Sequence, residues 1–261
     1  MSIQSFKANV WESALITNFH NVSIAGVITT APSKIEGEKA IFNKVSGGAI
    51  KDYAGAITYD TLATAPIELN FDKKKYFAIS LDDVDAVQAN GEVLGVVAEE
   101  KALDMAEVAD QELLQMIATN ATNKITKSPM MFSEAYDLVV DLGVELSKKK
   151  VPNSNRFVVA SAEFIQQMAK DDRFADNFNV LPNGVLDGVN IAGMKIVQTE
   201  NVPANHVIVL HKSAVGYATQ LDKVEALRLE GSFSDAVRGL QVSGETMLRD
   251  EAVVVAKYDL A

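Results

Sequence analysis

Three histidines, His20, His206 and His211, are the chain's imidazoles, and acid–base or metal chemistry would start from them. His206 and His211 stand five residues apart across a strand-like segment, which does not present two ring nitrogens to one ion. Asp82, Asp83 and Asp85 offer carboxylates to a hard cation, but their spacing is not that of a calcium-binding loop. A solvated helix entry is the simpler reading. Asp171-Asp172 reads as a turn. Gly184-Val185-Leu186-Asp187-Gly188 is turn-rich and is no phosphate cradle. The absence of cysteine removes disulfides, thiolate metal sites and cysteine nucleophiles. The chain carries no G-x-S-x-G, no Walker loop, no G-x-G-x-x-G and no H-E-x-x-H. No catalytic, cofactor-binding or metal-binding residue is assigned, no cofactor is expected, and the expectation is a non-enzyme.

The composition is that of a globular chain with ample core material: 48% hydrophobic and 23% charged residues among 261. That length accommodates one large domain or two small ones. No apolar run is long enough to span a bilayer, and the first seven residues lack a signal-peptide core. Net charge is −11 and the isoelectric point about 4.8. Such a chain is poorly equipped to grip phosphate, whose affinity comes from Lys and Arg. Lys148-Lys149-Lys150 is a basic triplet without flanking aromatics. It fits the negative end of a helix better than a nucleic-acid patch.

The elements that organise the chain are two long ones. From Glu92 to Asn120 apolar residues recur at Leu94, Val97/Ala98, Ala102, Met105/Ala106, Ala109, Leu113 and Met116/Ile117, the spacing of one buried helical stripe. At 1.5 Å per residue this rod is about 44 Å long. Glu99, Glu100, Asp104, Glu107, Asp110 and Glu112 read as its wet face. The second element is Glu36 to Leu81, with a Gly-rich centre, Ser46 to Thr58, between strand-like flanks. Its return flank alternates through Ile67, Leu69, Phe71, Lys73, Lys75, Phe77, Ile79 and Leu81, which predicts one strand of about 50 Å. A two-stranded ribbon of that length is marginal alone in water, so its apolar face must lie on another surface.

Around these two, the sequence predicts a helix over Phe6–Phe19 and an apolar segment over 22–32. It predicts a polar connection over 122–130 and a helix from a Ser133 cap to Lys150. A buried strand follows at Arg156–Ala160, then a helix capped by Ser161. Residues 189–199 read as a hairpin turning at Ala192-Gly193, and 207–210 as a buried strand. Strands are also expected over 223–230, 240–242 and 252–256, with a polar loop at 231–239. The class is α+β.

This order of parts resembles the major capsid proteins of tailed bacteriophages. An apolar arm is followed by a Gly-tipped ribbon, then Phe77-Ala78-Ile79-Ser80-Leu81-Asp82-Asp83. A long acidic helix ends in Asp110-Gln111-Glu112-Leu113-Leu114, an inserted α/β unit follows, and a long return strand closes the order. Local phrases are similar too: Arg156 to Ala160 leading to Asp171-Asp172-Arg173-Phe174, Val189 to Val197 leading to Asn201-Val202-Pro203, and Arg249 to Ala256. The resemblance covers nearly the whole chain.

The resemblance implies a division into an N-terminal arm (1–34), an extended β-hairpin loop (35–76), a peripheral domain with the long helix (77–129 and 222–250) and an axial domain (130–221 and 251–261). It implies pentamers and hexamers closing an icosahedral shell around double-stranded DNA, held by many weak contacts. The acidic balance suits a wall that encloses DNA without sequence-specific binding. Trp11, Lys51, Tyr53 and Tyr59 are the expected intersubunit contacts of arm and ribbon. Arg228, Glu230, Asp235 and Arg238 are those expected where peripheral domains meet. Implied partners are the chain itself, a portal protein, a separate scaffolding protein and decoration proteins, with no membrane. The scaffolding partner is expected because the sequence reaches the arm at once. Localisation would be the virion, with assembly in the host cytoplasm. Lys44 and Lys51 lie in the ribbon, but no acceptor Asn matches, so no covalent crosslink is expected. The alternative is an encapsulin-type nanocompartment shell. A solitary α+β enzyme or binding protein ranks below both, as does a tail-tube protein.

Overall fold

A computed structural model describes residues 23–37, 39–46, 52, 63–82, 93–171, 173–174, 179–229, 231 and 234–260. The described chain enters on one helical turn, α1 (Ala25–Ile28), then forms β1 (Lys34–Glu36), β2 (Lys39–Ser46) and β3 (Ala63–Asn70). These three pair antiparallel in the order β1-β2-β3, and β2 and β3 are the two legs of the expected ribbon. β4 (Lys73–Asp82) follows, then α2 (Val93–Asn120), the long rod expected from its apolar period. Ala106, Ala109, Leu113, Leu114 and Ile117 lie on its buried side.

The next part is a seven-stranded sheet with two helices. Its elements are β5 (Lys124–Met130), α3 (Ala135–Lys148), β6 (Arg156–Ala160), α4 (Ala162–Ala169), β7 (Asn179–Val180), β8 (Val185–Ile191), β9 (Met194–Gln198), β10 (His206–His211) and β13 (Val253–Leu260). The strand order is β5-β13-β10-β6-β9-β8-β7. Every residue of β6 and the centre of β10 are buried, as expected of central strands covered on both faces. Leu138, Leu142 and Leu146 of α3 are sealed in the same core, each worth about 2 kcal/mol of transfer free energy. Ser161 caps α4, its hydroxyl accepting from Phe164 N. The turn between β8 and β9 puts Ala192 and Gly193 both at positive φ, the primed geometry that tight hairpins favour.

A third sheet, order β11-β12-β4, completes the molecule. β11 (Val215–Arg228) and β12 (Ser234–Met247) make a hairpin of two fourteen-residue strands, about 45 Å long at the usual rise. Its root, Val215, is buried in the main core.

Several expectations are corrected. The alternating run from Ile67 to Leu81 is two strands, not one. Asp72 N donates to Asn70 O in a tight bend, after which β4 leaves β3 and pairs with β12 from Lys73↔Ser243 to Asp82↔Ser234. Alternation hid the bend because the parity of inward residues continues through it. Residues 122–130 are not a polar connection: 124–130 form β5, paired parallel with β13 at the sheet edge, where lysines and Pro129 are tolerated. The loop expected over 231–239 does not reach its stated end. From Ser234 the chain is β12, paired on both sides, because the neighbouring strands satisfy its backbone despite polar side chains. The segment over 22–32 contains α1. Ser133 does not cap α3: the helix is preceded by a 3-10 turn, Phe132–Glu134, and no side chain bonds at its N-cap, Glu134. The helix expected over Phe6–Phe19 and the Asp83 and Asp85 carboxylates lie outside the described residues.

Candidate assembly surface

No cluster of metal-ligating side chains occurs among the described residues, and no described helix is long and apolar enough to cross a membrane. The notable architecture is mechanical: three joints fasten α1, the β2–β3 ribbon and β4 to the rest of the fold.

The first is the root of the ribbon. Ala40, Phe42, Leu69 and Phe71 form a small apolar core with Ala218 and Val242 of the long hairpin. The approach is close. A Cβ on Gly244 would lie 2.6 Å from Asn70 O, and one on Gly216 would lie 2.7 Å from Phe42 Cζ. Glycine lets the ribbon's backbone and ring settle directly on the hairpin.

The second joint is ionic. Lys73, the first residue of β4, pairs with Glu245 of β12 and, at 3.4 Å, with Glu112 of α2. Lys75 reaches Glu112 at 2.9 Å. Burial lowers the Lys73 pKa, but its bonds to Glu245 and Glu112 more than offset this and hold it above its usual value. Burial pushes the Glu245 carboxyl up, against the pull of Lys73. Helix, ribbon exit and hairpin are thus held together where the chain bends between β3 and β4.

The third joint fastens the start of α1 to α2. Asp110 of α2 is buried and accepts from the Ser23 hydroxyl at 2.8 Å, Ile24 N at 3.0 Å and Ala25 N at 3.1 Å. Beside it Tyr217 of β11 is also buried, and burial pushes its phenol well above the usual value. A cleft of about 200 Å³ borders this joint, lined in part by Ser23, Thr29 and Tyr217.

Trp11, Lys51, Tyr53, Tyr59 and Glu230, expected to make intersubunit contacts, lie outside the described residues. The structure brings Arg228 and Asp235 together as a register pair at the far end of the β11–β12 hairpin. Arg238 lies on β12 opposite Glu225 on one side and Ala78 on the other, and it is exposed. Near it stands Tyr76, 81% exposed on β4. Sequence reading missed the joints. Asp110 and Glu112 were assigned to the wet face of the rod, whereas Asp110 is buried and Glu112 half-buried. The signal was present: Asp110 follows Ala106 by four and precedes Leu113 by three, inside the apolar stripe.

No family model matches this chain, and no curated protein matches it. Solved structures do. A chain from Mycobacterium phage Che8 is 28% identical, covers 85% of each chain and has a TM-score of 0.65. The capsid structure of cyanophage P-SCSP1u aligns over 92% of this chain and 89% of its own, at 15% identity and a TM-score of 0.67. The chain has the tailed-phage major capsid protein fold. A virus-like particle from Pyrococcus furiosus also matches this capsid fold, covering 95% of this chain and 98% of its own, at 16% identity and a TM-score of 0.54. The three joints fix α1, the ribbon root and the β11–β12 hairpin relative to the body.

Proposed function

We propose that this chain is the major capsid protein of a tailed bacteriophage, a structural subunit without catalytic activity. It self-assembles as pentamers and hexamers into an icosahedral shell around double-stranded DNA. The observation that carries this reading is the likeness to the Che8 chain along 85% of both lengths, beside phage capsid structures that match over about nine-tenths of this chain. Residues 1–34 act as the arm and 35–76 as the extended loop. Residues 77–129 with 222–250 act as the peripheral domain, and 130–221 with 251–261 as the axial domain. The pairing of β5 with β13 favours counting 124–130 with the axial part. Arg228, Glu230, Asp235 and Arg238 make polar contacts between peripheral domains, and Trp11, Lys51, Tyr53 and Tyr59 serve arm and ribbon. A portal protein, a scaffolding protein and decoration proteins are the further partners, the host cytoplasm the site of assembly and the virion the destination. A net charge of −11 lets packed DNA slide along the wall rather than stick to it.

The likeness to the Pyrococcus particle favours one second reading, a nanocompartment shell that encloses protein cargo. Negative-stain electron microscopy with sizing chromatography tests both against a solitary protein. Closed shells, or rings of five and six, are expected. A chain that stays monomeric at high concentration and under crowding would refute assembly. Nuclease-protected DNA in shells from infected cells, rather than protein cargo, separates phage capsid from nanocompartment.

A further inference from the structure

Among the described residues, a buried carboxylate with no cation beside it stands out. Asp110 is 4% exposed, and the groups that act on its ionisation are burial and the three donors of the arm. Oδ1 accepts from the Ser23 hydroxyl and Ala25 N, and Oδ2 accepts from Ile24 N. These are the donors at the start of α1, where backbone N–H groups have no partner within a helix. Ile24, at the N-cap, has no side chain to offer them. A residue of α2, 85 positions away from Ala25, therefore caps α1. Ile24, Ala25 and Ile28 are packed into the main core.

We infer that Asp110 is a positioning residue for assembly: its buried carboxyl group caps α1 and fastens Ser23–Ile28 to α2, which makes the root of the N-terminal arm a latch. The inference deepens, and rests on, the capsid reading above. No titratable group lies in α1. From β11 the facing group is Tyr217, whose phenol is pushed up by burial and, in smaller part, by the charges of Asp110, Glu245 and Glu112. Along α2 the neighbouring acids are Glu107, exposed, and Glu112, half-buried. Glu112 and Glu245 are occupied by Lys73 and Lys75 in the ionic joint. Thus no neighbour among the described residues supplies a positive charge to Asp110.

Burial raises the Asp110 pKa to about 6 from the ordinary 3.8, against the lowering pull of its three hydrogen bonds. The fastened form therefore binds a proton more tightly than the released form. Fastening is strongest below about pH 4, weakens as the pH rises towards 6, and is level above that. The protonated acid fits the same geometry. Oδ1–H can donate to Ser23 Oγ, which already receives Ala25 N at 3.3 Å, while Ile24 N stays on Oδ2.

Hydrogen exchange read by mass spectrometry on the full chain tests this, with intrinsic rates corrected at each pH. Peptides over 23–28 report the latch, and peptides over 207–210, in the buried centre of β10, report the body. The expected result is an opening of 23–28 that grows about fiftyfold from pH 4 to pH 7 while 207–210 stays flat. Asp110→Asn abolishes the pH dependence. Ser23→Ala loosens 23–28 at every pH and keeps the dependence. Exchange of 23–28 that is flat with pH in the native chain, or that moves in step with 207–210, overturns the latch. Electron microscopy of the same samples separates the two ideas. Shells with flat exchange refute the latch alone. A pH-dependent root in a chain that never assembles supports the latch chemistry and refutes the capsid reading.

Discussion

The residue with most depending on it locally is Arg156. It opens β6, is 3% exposed and meets no carboxylate among the described residues. Its Nε donates to Pro152 O at 2.8 Å, Nη1 to Ser147 Oγ at 3.0 Å and Gly143 O at 3.2 Å, and Nη2 to Val151 O at 2.6 Å. These acceptors belong to the C-terminal turn of α3 and the chain just after it, where a helix presents unpaired carbonyls and a partial negative charge. The same helix end closes on itself, Lys150 N donating to Ser147 O and Val151 N to Leu146 O, with Lys150 at φ 60°. That is the left-handed cap usually given to glycine. Burial lowers the Arg156 pKa, yet a guanidinium stays charged. Arg156→Met is expected to cost about 3 kcal/mol, because buried acceptors lose their donors, and Arg156→Lys to recover only part of it. Urea unfolding of the unassembled subunit measures both, and equal stability of Met and native proteins would refute the role. The strand beginning at Arg156 was legible in the sequence; the role of its side chain was not. The same holds for Lys148-Lys149-Lys150, read as dipole partners: Lys148 pairs with Glu145, and the buried cation at this helix end is Arg156.

At the scale of elements, periodicity decided what could be read. The rod α2, helix α3 with its leucines, and the hairpin at Ala192-Gly193 were legible because each has a local cause in spacing or turn chemistry. The bend after β3 was not, since a strand that changes partner keeps its alternation. β12 was not, because its pairing with both β11 and β4 overrides the weak propensity of its polar first residues. The joints were invisible for a simpler reason: Lys73 meets Glu112 and Glu245 only after folding. Glycine at the ribbon root belongs to this class too. Gly244→Ala is expected to push Asn70 and Leu69 away from β12, because a Cβ there falls 2.6 Å from a backbone oxygen. Overpacking of this kind costs about 1–3 kcal/mol. Its signature is local: hydrogen exchange should rise over 39–46 and 66–73 and stay unchanged over 207–210. A variant with native exchange at the ribbon root would show that the close approach carries no strain.

At the scale of the whole molecule, the ribbon separates folding from assembly. Its root is sealed by Phe42, Leu69 and Phe71 against Ala218 and Val242 and tied by Lys73 to Glu112 and Glu245. Those contacts lie within one chain. Residues 47–62, between β2 and β3, carry Lys51, Tyr53 and Tyr59, and the apolar core and ion pairs of the root are made by residues on either side of that segment in the sequence. Replacing 47–62 by a short Asn-Gly turn should therefore leave a subunit that folds, since two-residue primed turns join antiparallel legs without strain. Its thermal midpoint should stay within a few degrees of the native chain's. Closure of a shell sums many weak contacts around each subunit, so loss of the ribbon tip at every position removes many contacts at once. Sedimentation should then find monomers or open rings where the native chain gives closed particles. Particles of native diameter from the shortened chain would place the decisive contacts elsewhere, on the β11–β12 hairpin with Arg228, Asp235 and Arg238. A shortened chain that fails to fold would refute the independence of the root.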